Sequence, residues 1–444
     1  MSKLKNVSFC YIIALFVAGL SAADLKSDND NIKMSVKGNG AFKFGQVVRG
    51  LGIGEKPEPV WNLWVESANT GFSIEAVIDE RLKLVSGINA EMKFSWPLQA
   101  QRSQSKTAQP HVSMSESYGL YTVKGNRCAF DMCVGYFGYK YNPDVRNLGE
   151  YLFRSATYPA YIITDFDSPQ ATLLGLRLGL KTLNNSFSHD LILSSETVFY
   201  PAMDWSLSYL FKYDILNNGF LNIGAGINIA HLFSVYPENV AGGSNTSPTS
   251  PVTQYKTDDG DTANYTFKGS KLMARLSIDP KVLISGANDF FGKSDLKIYG
   301  ELLVIGTKSY PDTTLQNKAT LSYSNWKEKA PITFGFNLPT FALLDVLSLE
   351  FEYWGSKYYN DYRAIYVNAG YPVAQAPLAG VDESKWKWSL YFKKSFLNDH
   401  CALTTQFARD HMRLFSTIYD EANHREMLVE SGNWWWVTKL SYSF

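Results

Sequence analysis

The chain has 444 residues, and its 42 Lys and Arg balance 42 Asp and Glu to a formal net charge of zero. That balance leaves no basic footprint for nucleic acid, so no nucleic-acid partner is expected. Four cysteines in a chain this long exclude a disulfide scaffold, while 45% hydrophobic and 15% aromatic residues point to large interfacial surfaces.

The N-terminus has Lys3 and Lys5, then an apolar run from Val7 to Leu20, then Ser21-Ala22-Ala23. Basic, apolar and small-residue regions in that order mark a secretory signal. Residues 1–23 are therefore expected to be a signal peptide, cut before Asp24, with 24–444 as one mature unit. The apolar run is too short for a spanning anchor, and no later run approaches the roughly 20 residues a transmembrane helix needs.

From Lys33 onward one pattern recurs. Segments of about ten residues alternate apolar and polar, as expected of strands with one apolar face. The clearest runs from Leu82 to Trp96, with Leu82, Leu84, Ile88, Ala90, Met92, Phe94 and Trp96 on one side. Lys83, Gly87, Asn89, Glu91, Lys93 and Ser95 take the other, and Val85 and Ser86 are out of step. Before it lie Met34 to Phe44 and Phe72 to Ile78. After it come Ser113 to Lys124, whose facing is ambiguous, Phe130 to Tyr136, Leu174 to Leu180 and Leu191 to Phe199. Trp205 to Tyr213, Leu221 to Ile229, Leu272 to Ile278 and Leu296 to Val304 follow. Ile332 to Phe336, Leu347 to Tyr353, Trp386 to Phe392, Cys401 to Phe407 and Trp434 to Phe444 complete the set. The period-two template predicts about 16 strands.

The connectors alternate in length. Residues 79–81, 124–127, 183–186 and 216–219 are tight turns, most of them rich in the Asn and Gly that turns favour. The intervening connectors, such as 49–69, 97–111, 141–169, 236–262 and 357–382, are long. Residues 200–204 and 282–293 are the exceptions, one on each side. Short turns at one end and long loops at the other are the layout of an outer-membrane barrel. Its polar strand faces are charged, its apolar faces nearly free of charge, and aromatics gather near strand ends, as at Tyr353 and Trp354 and at Trp434 to Trp436. A chain with no spanning helix crosses lipid only as a closed barrel. The expected fold is all-β: a transmembrane antiparallel up-and-down barrel with short periplasmic turns and long extracellular loops.

In the last segment, 433–444, Phe444, Tyr442, Leu440, Thr438, Trp436 and Trp434 share one face. A terminal Phe preceded by apolar residues at alternate positions resembles the C-terminal assembly signal of bacterial outer-membrane barrels. The resemblance implies that Leu440, Tyr442 and Phe444 are read by the barrel-assembly machinery, with the tryptophans at the outer interface. Lys140-Tyr-Asn-Pro143 and Leu148 to Phe153 are similar to a loop region of phosphate-selective-type porins. In general porins the third outer loop folds into the lumen as a constriction. By count that loop is 141–169 here, carrying Asp144, Arg146, Glu150 and Arg154, with Asp165 and Asp167 further on. Porins of this size are commonly trimeric, which the resemblance implies for this chain.

Pore selectivity depends on the charges that line it. The alternation places Lys83, Glu91, Lys93, Arg177, Lys181, Lys212, Arg275, Lys297, Glu301, Glu350, Glu352, Lys387 and Lys439 on inward faces. Signs among the inward residues are near balance. Catalysis has little to support it: Ser188-His189-Asp190 are neighbours on a strand and point to opposite faces. Asp258 to Asp261 lacks the rest of a calcium-loop pattern, His411 and His424 have no ligand spacing, and neither a metal nor a cofactor is expected. The sequence thus predicts an outer-membrane porin passing small hydrophilic solutes or ions. The rival is a non-conducting barrel acting as a surface scaffold or adhesion protein through its long loops.

Overall fold

Alternating side chains make each segment two-faced, and such strands are stable only when both faces find their medium and no edge is left unpaired. In the computed structural model the strands pair antiparallel in chain order and close into one 16-stranded barrel. The structure describes residues 32–51, 59–93, 110–153, 161–162, 171–182, 186–195, 204–216, 219–233, 254–256, 262–264, 269–305, 326–355, 384–413 and 426–444. The expected signal segment lies outside them.

The first strands are β1 (Ile32–Leu51), β2 (Pro59–Ile78), β3 (Leu82–Lys93), β4 (Pro110–Lys124) and β5 (Cys128–Tyr139). Next are β6 (Ala171–Thr182), β7 (Phe187–Ser195), β8 (Trp205–Asp214), β9 (Leu221–Phe233) and β10 (Gly269–Ile278). The remainder are β11 (Ile298–Ile305), β12 (Ile332–Asn337), β13 (Val346–Tyr353), β14 (Trp386–Phe396), β15 (Cys401–Arg409) and β16 (Trp434–Ser443). Closure is made by β1 on β16, from Asn39 opposite Ser443 to Arg49 opposite Trp434.

A strand stands at each of the sixteen segments expected from the alternation, with Phe94 to Trp96 and Glu196 to Phe199 outside the described residues, and β1 and β2 are longer than predicted. They pair from Ile32 opposite Ile78 to Leu51 opposite Pro59, well past where the alternation fades. Ladder partners, not side-chain period, set that length. The ambiguous facing of β4 has a specific cause. Its register against β3 shifts between Gly87 and Ile88, which face Glu116 and Met114, so Ser115 is an extra residue. Such a bulge moves the outward set from even to odd positions: Val112 and Met114 are exposed on one side of it, Tyr121 and Val123 on the other.

Among the described residues, turns 79–81, 125–127, 338–345 and 397–400 share one end of the barrel with the longer 279–297. The last is held by Asp295, whose carboxylate accepts from Gly292 N at 2.9 Å and from Thr340 N and Phe341 N of the next turn at 3.0 Å. The strand ends that bound the longer stretches of sequence lie at the other end, but the expected connector 49–69 is not among those stretches: β1 reaches Leu51 and β2 begins at Pro59.

The outer face is an apolar belt, with Ile74, Leu84, Val134, Leu180, Leu276, Phe334 and Leu403 exposed on it. Rings cluster there toward the long-connector end, where Phe44 stacks on Trp64 at 5.1 Å and both meet Trp436 edge-on. Leu440, Tyr442 and Phe444 also face out, 50%, 43% and 40% exposed. The Phe444 ring lies over Gly38 of β1, where a Cβ would come within 2.2 Å of it. The three tryptophans do not share one location, a correction to the expectation above. Trp434 and Trp436 face outward, but Trp435 is 1% exposed and its Nε1–H donates to Asp410 at 3.0 Å. Strand alternation sends the middle of any three consecutive residues to the opposite side.

Candidate pore interior

The inward faces carry a lattice of charge. On β2, Glu75 accepts from Lys37 at 2.7 Å and pairs with Lys83 at 2.8 Å. Asp131 on β5 pairs with Lys181 at 3.0 Å and Arg177 at 3.5 Å. Asp190 on β7 pairs with Arg177 at 3.4 Å and accepts from Tyr139 Oη at 2.8 Å. Lys43 and Lys439 stand opposite each other where β1 meets β16. Glu91, opposite Asn69 on β2, has the same inward register. His189 faces outward against Phe187 and Tyr209, so the Ser188-His189-Asp190 run is split between faces.

The connector after β5 enters this space. Residues 140–153 run from β5 to β11, β12 and β13, across the interior rather than around the apolar belt. Two wall carboxylates receive them. Glu301 on β11 accepts from Asn142 Nδ2 at 2.9 Å, Glu150 N at 3.0 Å, Tyr151 N at 2.8 Å and the Tyr141 hydroxyl. Glu350 on β13 accepts from the consecutive amides of Arg146, Asn147 and Leu148, the latter two at 2.8 Å, and from Tyr299 Oη at 2.8 Å. Charge-assisted bonds to backbone amides are among the stronger kind, and here they offset the cost of burying two carboxylates. Lys271 donates to the carbonyls of Tyr151 and Leu152 at 3.3 Å. The chain turns at Gly149, whose φ of 92° suits glycine and whose Cβ would sit 2.8 Å from Val145.

A second segment, 426–430, also lies inside. Leu51 N donates to Met427 O and Met427 N to Met412 O, at 2.9 and 3.0 Å. Met412, Met427 and Leu428 pack with Val47, Ala408, Trp435 and Val437 in one buried cluster. Lys387 bonds Glu426 and donates to Leu428 O at 2.9 Å. His411 bonds Glu352 and stands 3.4 Å from Glu426. Tyr151 also bonds Glu352, and Asn147 donates to Asp410 at 2.8 Å, so the first inserted segment reaches the second through Glu352, His411 and Glu426.

Charges outside the strands respond. Burial raises the Tyr141 and Tyr151 hydroxyls well above their usual value, and the neighbouring carboxylates add to it. Burial would also raise Asp144, but the Lys297 ammonium at 3.3 Å, with Ser277 and Arg146, holds it below the usual range. Asp410 is raised by burial. Burial would lower His411, yet Glu352 and Glu426 outweigh that and raise it from 6.5 to about 9. Glu426 is held low against burial by Lys387 and His411.

The structure thus places Glu301, Glu350 and Glu352 on the inner wall but beneath inserted chain, while Lys83, Arg177, Lys181, Lys212, Lys297 and Lys439 keep partial exposure. Arg275 and Lys387 are buried, as are Asp144 and Glu150, whereas Arg146 is half-buried. Arg154 and the side chain of Lys93 lie outside the described residues, as do Asp165, Asp167, His424 and 258–261. Sequence reasoning missed Tyr141, Asn147, Tyr151, Asp410, His411 and Glu426. Tyr141 and Tyr151 stood in the two loop stretches singled out for resemblance; nothing local marks the others. Among the described residues no group of His, Cys, Asp or Glu forms a metal site.

No protein-family model matches the chain, and no curated protein matches it. Several solved structures are similar in shape. An OmpF of Salmonella typhi in complex with daunomycin matches at TM-score 0.45 and 10% identity, over 95% of this chain and 100% of that chain. The outer-membrane channel DcaP of Acinetobacter baumannii matches at 0.42 and 9%, over 95% and 100%. A mutant of the Rh. blastica porin matches at 0.41 and 7%, over 93% and 100%. The chain therefore resembles porins in its barrel, and likeness at this level carries nothing about solutes.

Proposed function

We propose that the protein is a bacterial outer-membrane porin through which small hydrophilic solutes or ions diffuse passively. The observation that carries this reading is the two-sidedness of the closed barrel. Charged side chains face inward on strand after strand, and exposed apolar side chains face outward on the same strands. An apolar exterior belongs in lipid, and a charged interior belongs in water. Residues 140–153 then act as a constriction, with Asp144, Arg146 and Glu150 on it and the charges of the facing wall as the filter. Leu440, Tyr442 and Phe444 present themselves outward as the segment the assembly machinery would read. A homotrimer is part of the same reading through resemblance alone.

The second reading is a non-conducting barrel serving as scaffold or adhesin. It draws support from the junction of the two inserted segments at Asn147–Asp410 and Tyr151–Glu352–His411, which fills part of the lumen. Conductance separates the readings. Purified protein, shown folded by its heat-modifiable migration, is added to a planar bilayer. Stable current steps are expected; a silent membrane over folded protein selects the scaffold.

A further inference from the structure

We infer that the interior wall between β8 and β11 is an anion site, so that the solutes admitted are preferentially small anions; this rests on the pore reading above. Four cations converge there from two strands, the residue before β11 and the inserted segment. Lys212 on β8 stands opposite Gly224 of β9, and Gly224 stands opposite Arg275 of β10. The missing side chain is what lets the cations approach. The Arg275 side chain lies across Gly224, where a Cβ would come within 2.7 Å of its Nε. Lys212 is thereby within range of repulsion from Arg275 and Lys297 as well as of attraction to Asp144 and Asp214. Arg146, on the inserted segment, joins the group through Asp144, which it and Lys297 both act on.

The acids of this sector are partly engaged elsewhere. Glu301, beside Arg275 in register, is buried under four donors of residues 141–151. Asp214 accepts from Gly219 N at 2.8 Å through one oxygen, while its other oxygen is buried without a partner and its charge still reaches Lys212. Asp144 is left, engaged by Lys297. Among the described residues the Lys212 ammonium has no hydrogen bond or ion pair, and Arg146 Nε is buried without a partner. Arg275 donates only one long bond, 3.4 Å to Asn222. Like charges held together by a fold are a cost that a bound anion removes, and guanidinium groups suit oxyanions with two parallel donors. The balanced charge of the whole chain conceals this. Near this wall Glu301 is covered and Asp144 engaged, while among the described residues Lys212 and Arg146 Nε keep donors without a partner.

The test uses the full folded chain in a planar bilayer under a KCl gradient, with sulfate as the polyvalent probe. The reversal potential is expected to lie toward that of chloride, and sulfate to depress the chloride current. Lys212→Glu with Arg275→Glu should lower the chloride-to-potassium ratio several-fold and remove the sulfate effect. Lys212→Gln gives a smaller shift in the same direction should the double variant fold poorly. An open pore that favours potassium, or whose selectivity ignores both variants, overturns the anion site and leaves the pore standing. Folded protein without current removes the pore and the anion path together.

Discussion

Single residues decide how the interior is held. His411 is the sharpest case, because it lies between the two inserted segments and bonds carboxylates from wall and loop at once. Its folded-state pKa is raised from 6.5 to about 9. A raised value means its contribution is complete below the unfolded pKa and is lost as pH rises through the folded one. Residues 410–413 and 426–430 should therefore be firmest below about pH 6.5 and loosen progressively toward about pH 9. Hydrogen exchange on peptides covering them, corrected for intrinsic rate, should show protection falling across that window. His411→Gln should flatten the profile, and a wild-type profile that is already flat would remove His411 from this role. Glu426 works in the opposite sense: its depressed pKa means its contribution fades as pH falls below its usual value of 4.5.

At the scale of an element, the inserted segment 140–153 is held by buried Tyr141, Val145, Leu148, Tyr151 and Leu152 and by two carboxylate seats. Glu350 alone satisfies three consecutive amides. Glu350→Ala leaves those donors unmatched and should weaken the seat by about 3 kcal/mol. The barrel ladder does not depend on it, so the barrel should still fold. Faster exchange at 142–152 together with larger single-channel steps is expected, and unchanged steps would show that this segment does not set the width of the pore. The neighbouring β4 shows the same scale from another side. One extra residue, Ser115, reverses which positions face lipid, so the strand reads ambiguously in sequence while its backbone pairs without a break in the barrel.

For the whole molecule, the question is which solvent covers which face. Val134 lies near the middle of β5, half exposed on the outer belt, and its neighbour Cys133 is buried inside. A positive charge at the bilayer midplane of such a barrel costs about 2–4 kcal/mol. Val134→Arg should lower stability by that order when unfolding by denaturant is followed in lipid vesicles. A change near zero would argue that this face meets water, contrary to the lipid-facing reading.

The sequence by itself determined where the strands lie, their approximate number and, except on β4, their two faces. Period-two alternation is local, and each residue's side follows from its neighbour's, so Arg177, Glu301 and Lys439 were legible as inward residues without any knowledge of their partners. It also marked 140–153 as a loop of interest, through stretches that a turn alone does not require. Only the tertiary structure decided what those inward charges do. Glu301, Glu350 and Glu352 read the same as Glu75 along the chain, yet they are sealed beneath residues 141–151, while Glu75 pairs with two lysines of adjacent strands. Trp435, in a row of three tryptophans, is separated from its neighbours by the wall of the barrel. The partners of Glu301, Glu350 and Glu352 in the inserted segment lie more than a hundred residues away in the chain, as Glu301 and Tyr141 do at a separation of 160. Closing the sheet brings opposite walls within reach of one loop, and no local period carries that information.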